Sequence, residues 1–180
     1  MDIDVIDAME FESNKNLREV GSLATWSLST YKIGYGIEQL RDDNGDTYWQ
    51  SDGPQPHLIN IQYNRKMNIS HIALLLDYKQ DESYTPNKIS LRAGTSFQDL
   101  QELQLFDLEE PQGWLYIKLY DNNKPLRTHL IQIAIISNHQ NGKDTHVRQV
   151  KIYTEREPLY HDKDLLPFSS LEFEMYSTII

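Results

Sequence analysis

Seven stretches of this chain read as β-strands, most of them with a two-residue period, and helix-period patterns are nearly absent. His57 to Tyr63 alternates, with Leu58 opposing Ile59 and Ile61. Ser70 to Tyr78 holds the continuous apolar run Ile72-Ala73-Leu74-Leu75-Leu76. Lys88 to Ala93, Gln101 to Leu108, Trp114 to Leu119, Thr128 to Ile136 and Val147 to Tyr153 complete the series. Turn formers separate them: Asp43-Asn44-Gly45-Asp46, Asp52-Gly53-Pro54, Thr85-Pro86-Asn87, Pro111-Gln112-Gly113, Asp121-Asn122-Asn123 and Asn138 to Gly142. Gly and Asn reach the left-handed backbone that tight turns need, and Pro cannot continue a central strand. Only Ile37 to Arg41 suggests a short helical turn. Short strands without intervening helices predict an all-β fold, a jelly-roll sandwich with short flanking helical turns.

At 180 residues the chain fits one domain. The strands place that domain at Leu17 to Thr154. Met1 to Asn16 carries Asp2, Asp4, Asp7, Glu10 and Glu12 and reads as an acidic, disordered tail. A secretory leader begins basic and continues apolar, so this start leads us to expect an intracellular protein. After Thr154 the character changes. Leu171, Phe173 and Met175 alternate with Glu172 and Glu174, as in a docking strand or a peptide whose end a partner captures. We therefore read 155–180 as a tail that docks on a partner.

Charge and composition exclude several functions. There are 17 basic and 27 acidic residues, a net charge of −10. A nucleic-acid binder needs a basic face, and the densest basic stretch is Arg65-Lys66, so no nucleic-acid partner is expected. No apolar run is long enough to span a bilayer, so no membrane partner is expected. The absence of cysteine removes disulfides, thiolate zinc sites and cysteine nucleophiles. Nucleophile elbow, phosphate loop and His-Glu-x-x-His motifs are absent, and no cofactor is implied. Asp42 to Asp46 resembles half a calcium loop. An EF-hand would need Gly at Thr47 and Glu at Gly53, so an Asx-rich turn is the reading we take. His139, Asp144 and His146 share one loop, where ordinary polar contacts are favoured over metal ligation.

Three loops carry more donors and acceptors than turn-making requires: Asp42 to Asp52, Asp77 to Thr85 and Asn138 to His146. Gathered at one end of a sandwich, they would form a polar, acidic face suited to a peptide or a sugar. Trp49 is expected to be core.

Thr47-Tyr48-Trp49-Gln50-Ser51-Asp52-Gly53 resembles the signature of galactose-binding-like jelly rolls. A narrower resemblance covers most of Leu17 to Thr154. Arg18 to Ser22, Trp26 to Ser29, Gln39 to Asn44, Gln55 to Leu58, Asp77-Tyr78-Lys79, Asp81 to Pro86, Lys88 to Ser90, Ile131 to Ala134, Asn138 to Gly142, Asp144 to His146, Arg148-Gln149 and Lys151 to Thr154 look like the Doc-domain subunit of the anaphase-promoting complex. The resemblance implies a non-catalytic, substrate-recognition role in a RING-type ubiquitin ligase of the nucleus and cytoplasm. Expected partners are its cullin-like, RING and tetratricopeptide core subunits, a WD40 coactivator and destruction-box substrates. By matching position, Ser83, Asn141 and His146 look like the family's degron-contacting residues, with Asp52, Tyr84, His139, Gln140 and Asp144 as neighbours. Family members commonly end in Ile-Arg, which docks in a tetratricopeptide subunit. Here Ile179 matches and Ile180 replaces the Arg, which leaves the Arg-dependent part of that docking unsupported. The alternative is a carbohydrate-binding sandwich, which a pair of exposed Trp or Tyr rings at the loop end would favour.

Overall fold

The computed structural model describes residues 2–14 and 16–156. In chain order its elements are β1 (Asp2–Ile6), α1 (Ala8–Ser13), β2 (Leu17–Glu19), β3 (Ala24–Leu28), α2 (Ile37–Leu40), β4 (Trp49–Gln50), β5 (His57–Ile69), β6 (His71–Asp77), α3 (Tyr78–Asp81), β7 (Pro86–Gly94), β8 (Gln101–Asp107), β9 (Gln112–Asp121), β10 (Lys124–Asn138), β11 (His146–Val147) and β12 (Gln149–Glu155). Single 3-10 turns occupy Gly21–Leu23, Glu82–Tyr84 and His139–Asn141.

Alternation sorts the side chains to two faces, and the inner faces meet. One layer runs β2-β12-β6-β9-β1, the other β3-β5-β10-β7-β8, and the β9–β10 hairpin joins them. All of these pairings are antiparallel. Ile59, Ile61, Ile131, Ile133, Ile89 and Leu91 from the second layer pack with Ile72, Leu74, Ile117, Leu119, Val150 and Ile152 from the first. Each such side chain contributes about 1.5–3 kcal/mol by leaving water. The expected jelly-roll sandwich is the fold observed. Trp49 is core as expected, 0% exposed, and its indole N–H is bonded to the Thr30 carbonyl.

The N-terminal segment corrects the sequence reading. It was expected to be a disordered tail, yet β1 adds to the sheet edge, placing Ile6 opposite Tyr116. Phe11 of α1 stacks on Tyr116 at 4.1 Å and meets the edges of Tyr153 and His71. The acidic residues that suggested disorder are used structurally. Asp7 caps α1 by accepting the Glu10 N–H, and Glu10 pairs with Lys118. The docking strand expected around Leu171 to Met175, and the tail residues Ile179 and Ile180, lie outside the described residues.

His71 is buried beneath Phe11, with Lys118, Glu155 and Glu10 around it. Burial, and then Lys118, lower its pKa from 6.5, while Glu155 and Glu10 act in the opposite sense. A base whose folded pKa is depressed stabilises the fold fully above 6.5 and loses that contribution as pH falls through the lowered value. Phe11→Ala should cost about 1–2 kcal/mol near neutral pH. It should also flatten the loss of stability between about pH 7 and pH 5.5, because water would then reach the imidazole. Urea unfolding at both pH values checks this; an equal slope in the variant would show that Phe11 does not shield His71.

Candidate functional site

The three polar loops meet at the end of the sandwich where β10 stops and β11 and β12 begin, and adjacent residues fasten them. Gln149 is buried; its side-chain amide N–H groups reach the Gln39 and Asn44 carbonyls and Asp42 Oδ1, and its Oε1 accepts the Asp43 N–H. Asn44 N–H and Asp46 N–H donate to Asp42 and Asn44 side chains in turn, which is the Asx turn expected from the sequence.

Arg148 ties the first loop to the second. Its Nη1 donates to the Gly45 carbonyl at 2.8 Å. Its Nε and Nη2 both donate to Asp81, at 2.9 Å each, as a two-pronged fork. Asp81 is 6% exposed and also accepts from His146 Nδ1 at 3.1 Å. Burial alone would raise its pKa; the bonds from His146 and Arg148, and their charge, hold it below 3.8 instead.

His146 sits between two tyrosines. Tyr48 and Tyr84 stack on its two sides, each at 4.1 Å between centroids, and Tyr35 stacks on Tyr48. The ring is 8% exposed, so it supports the loop face from beneath, while Tyr84 above it is 39% exposed. Sequence matching placed His146 among the degron contacts; its ring is buried between Tyr48 and Tyr84 and bonded to Asp81. Tyr48 is shared between Tyr35 and His146, and Tyr84 is the exposed member of this stack, with Tyr35 and Tyr48 half-buried.

The second and third loops touch at their backbones. Gly142 lies so close to Ser83 that a Cβ there would stand 1.8 Å from the Ser83 carbonyl oxygen. His139 N–H donates to the Thr85 carbonyl and Thr145 Oγ1 to the Tyr84 carbonyl. Ser83, Tyr84, His139, Gln140, Asn141 and His146 are thereby brought together. Asp144 lies on the inner side, accepting from Ser51 Oγ, and Asp52 follows Ser51 on the first loop, exposed. Glu82, Gln140 and Asn141 have φ of 45°, 52° and 56°. Backbone of this kind outside glycine is uncommon and clusters at functional loops.

Among the described residues, seven buried side-chain polar atoms lack a hydrogen-bond partner, and five of them belong to His57, Thr85, Asn138, His139 and His146 at this end. A cleft lined by Asn87, Asp107, Leu108, Glu109, Glu110 and His139 opens beside them. No group of three His, Asp or Glu side chains among the described residues is placed to hold a metal ion. Sequence reading missed Asp81, Arg148 and Tyr48 as the frame of the site. Arg148 did leave a signal: an Arg set between the apolar Val147 and Val150 is drawn inward and then needs a carboxylate.

Comparison with known proteins identifies the family. The family described as "Anaphase-promoting complex, subunit 10 (APC10)" matches residues 6–178. Anaphase-promoting complex subunit 10 of Mus musculus is 52% identical over 174 residues, covering 96% of this chain and 94% of the relative. That of Drosophila melanogaster is 54% identical over 165 residues, covering 91% and 85%. Anaphase-promoting complex subunit DOC1 of Saccharomyces cerevisiae is 32% identical over 157 residues, covering 86% and 63%. Among solved structures, the family 32 carbohydrate-binding module of C. perfringens NanJ, in complex with galactose, superimposes with a TM-score of 0.64 at 15% identity. It covers 77% of this chain and 99% of that one, a likeness of fold. An F5/8 type C domain from Bacteroides fragilis gives a TM-score of 0.62 at 13% identity, covering 79% and 99%. Matched along nearly its whole length, the chain belongs to the anaphase-promoting complex subunit 10 family.

Proposed function

We propose that this chain is a non-catalytic subunit of the anaphase-promoting complex, a RING-type ubiquitin ligase of the nucleus and cytoplasm. Its loop face completes a destruction-box receptor with a WD40 coactivator and makes ubiquitination of mitotic regulators processive. The observation that carries this reading is the close backbone contact between the Ser83 and Asn141 loops, with left-handed φ at Glu82, Gln140 and Asn141. Backbone of this kind clusters at functional loops, and the exposed polar side chains of Glu82, Gln140 and Asn141 suit a ligand rich in donors and acceptors, as an extended peptide is. The acidic cleft at Asp107, Glu109 and Glu110 supplies carboxylates for the Arg of a destruction box. Ser83 and Asn141 contact the peptide, Tyr84, His139 and Gln140 flank it, and His146 holds Tyr84 in place. Asp52 and Asp144 add negative charge at the margin. The tail residues Ile179 and Ile180 dock on a tetratricopeptide subunit.

The test is Ser83→Ala with Asn141→Gly. Glycine keeps the left-handed backbone at 141 while removing the side chain. The tagged variant, purified from its own cells, should still bring down the cullin-like, RING and tetratricopeptide subunits. Its stability should lie within about 0.5 kcal/mol of the parent. Chains added per substrate encounter should fall several-fold for destruction-box substrates only. Unchanged processivity in complexes that retain the variant would sink the degron assignment; recovery of the chain alone would sink the subunit assignment.

A further inference from the structure

At the other end of the sandwich a cleft of about 820 Å³ is lined by Arg18, Arg65, Lys66, Met67, Asn68, Thr154, Glu155 and Arg156. Its place follows from the strands. His57 opens β5 and bonds the Lys143 carbonyl in the third loop, and Arg65 stands eight residues farther along. Eight extended residues span about 26 Å. Likewise β12 starts beside Arg148 and ends at Glu155, next to Arg156.

The charge here is contrary to that of the chain, whose net is −10. Arg18, Arg65, Lys66 and Arg156 are all exposed. Among the described residues the Lys and Arg ion pairs belong to Arg41, Lys88, Lys118, Arg148 and Lys151, and to none of these four. The one acid lining the cleft, Glu155, accepts the Tyr120 hydroxyl. Lys124 and Arg127 line a neighbouring cleft that shares Asn68. The β5–β10 register shifts between Gln62 and Met67, so Asn64, Arg65 and Lys66 lie in the irregular stretch of β5 between its two registers.

We propose that this cleft docks an extended acidic segment of another protein, its carboxylates taken by Arg18, Arg65, Lys66 and Arg156. Arginine forks fit carboxylates, and four exposed cations along one cleft suit several carboxylates spaced along an extended chain. A nucleic acid fits less well. Four cations in one cleft neutralise few phosphates, and the acidic remainder of the chain repels a long polyanion. At physiological salt, screening over about 8 Å lets the cleft act locally on a short acidic segment. The inference is independent of the degron reading, because the two sites lie at opposite ends.

Fluorescence anisotropy of the full chain tests it with three probes: a labelled octapeptide of alternating Glu and Leu, its Gln counterpart, and an eight-nucleotide RNA. The Glu peptide should bind at least tenfold more tightly than the Gln peptide. Arg65→Glu with Lys66→Glu should abolish that preference, and Ser83→Ala with Asn141→Gly should leave it intact. If the double reversal alters the unfolding midpoint, Arg156→Glu alone serves in its place. Equal affinity for the Glu and Gln peptides, an unaltered preference in the reversed variant, or tighter binding of the RNA would each overturn the proposal.

Discussion

Asp81→Ala should destabilise the protein by about 3–5 kcal/mol, an effect expected when one member of a buried charge pair is removed. Asp81 is 6% and Arg148 5% exposed, so the guanidinium would keep its burial and lose both of its carboxylate bonds. His146 Nδ1 would lose its acceptor in the same step. The cost comes from the orphaned partner more than from the attraction itself. Asp81→Leu with Arg148→Met should therefore recover most of the stability, while the loops lose their tie at Gly45. The pH dependence has a definite sign. A carboxylate with a depressed folded pKa stabilises the fold above its unfolded value, here 3.8, and loses that contribution as pH falls through the depressed one. The gap between parent and Asp81→Ala should be full at neutral pH and narrow only below the ordinary carboxylate range. Urea unfolding of the parent, single and double variants measures this. A single variant within about 1 kcal/mol of the parent would mean that Arg148 finds another acceptor.

That pair marks the boundary of what the sequence could disclose. Strand alternation is a local signal, so β5 to β10 were legible, and Trp49 beside a strand could be assigned to the core. Asp81 and Arg148 are 67 residues apart, and nothing in either neighbourhood points to the other. The three loops could be singled out by composition, because polar excess is visible residue by residue. That His146 lies beneath Tyr84, sandwiched by Tyr48, is a stacking fact no spacing encodes. At the N-terminus the sequence misled for a physical reason. Acidic density was weighed as a whole, whereas Asp7 works as a cap, Glu10 as an ion-pair partner, and Ile6 and Phe11 supply the apolar contacts. Disorder arguments rest on averages, and a short segment docks through two or three side chains.

Gly142→Ala should separate folding from recognition. The glycine is not demanded by its own backbone, whose φ of −58° suits any residue. It is demanded by the Ser83 carbonyl, whose oxygen and carbon would lie 1.8 Å and 2.8 Å from the new methyl. Both atoms are main chain, so relief requires one loop to move by roughly 1–1.5 Å. The bonds that couple the loops, His139 N–H to Thr85 and Thr145 Oγ1 to Tyr84, would be the first to lengthen. The overpacking should cost about 1–3 kcal/mol. The layered core below, built on Ile59, Ile133, Ile72 and Ile117, is untouched, so the domain stays folded. Recognition is less tolerant, because a binding face must hold its geometry to about 0.5 Å. Destruction-box-dependent processivity should fall tenfold or more, the equivalent of at least about 1.4 kcal/mol. Amide chemical shifts should move at Ser83 to Thr85 and His139 to His146 and stay fixed at the basic cleft. A folded Gly142→Ala chain with parental processivity would mean that the contact between these loops does not organise the proposed degron face.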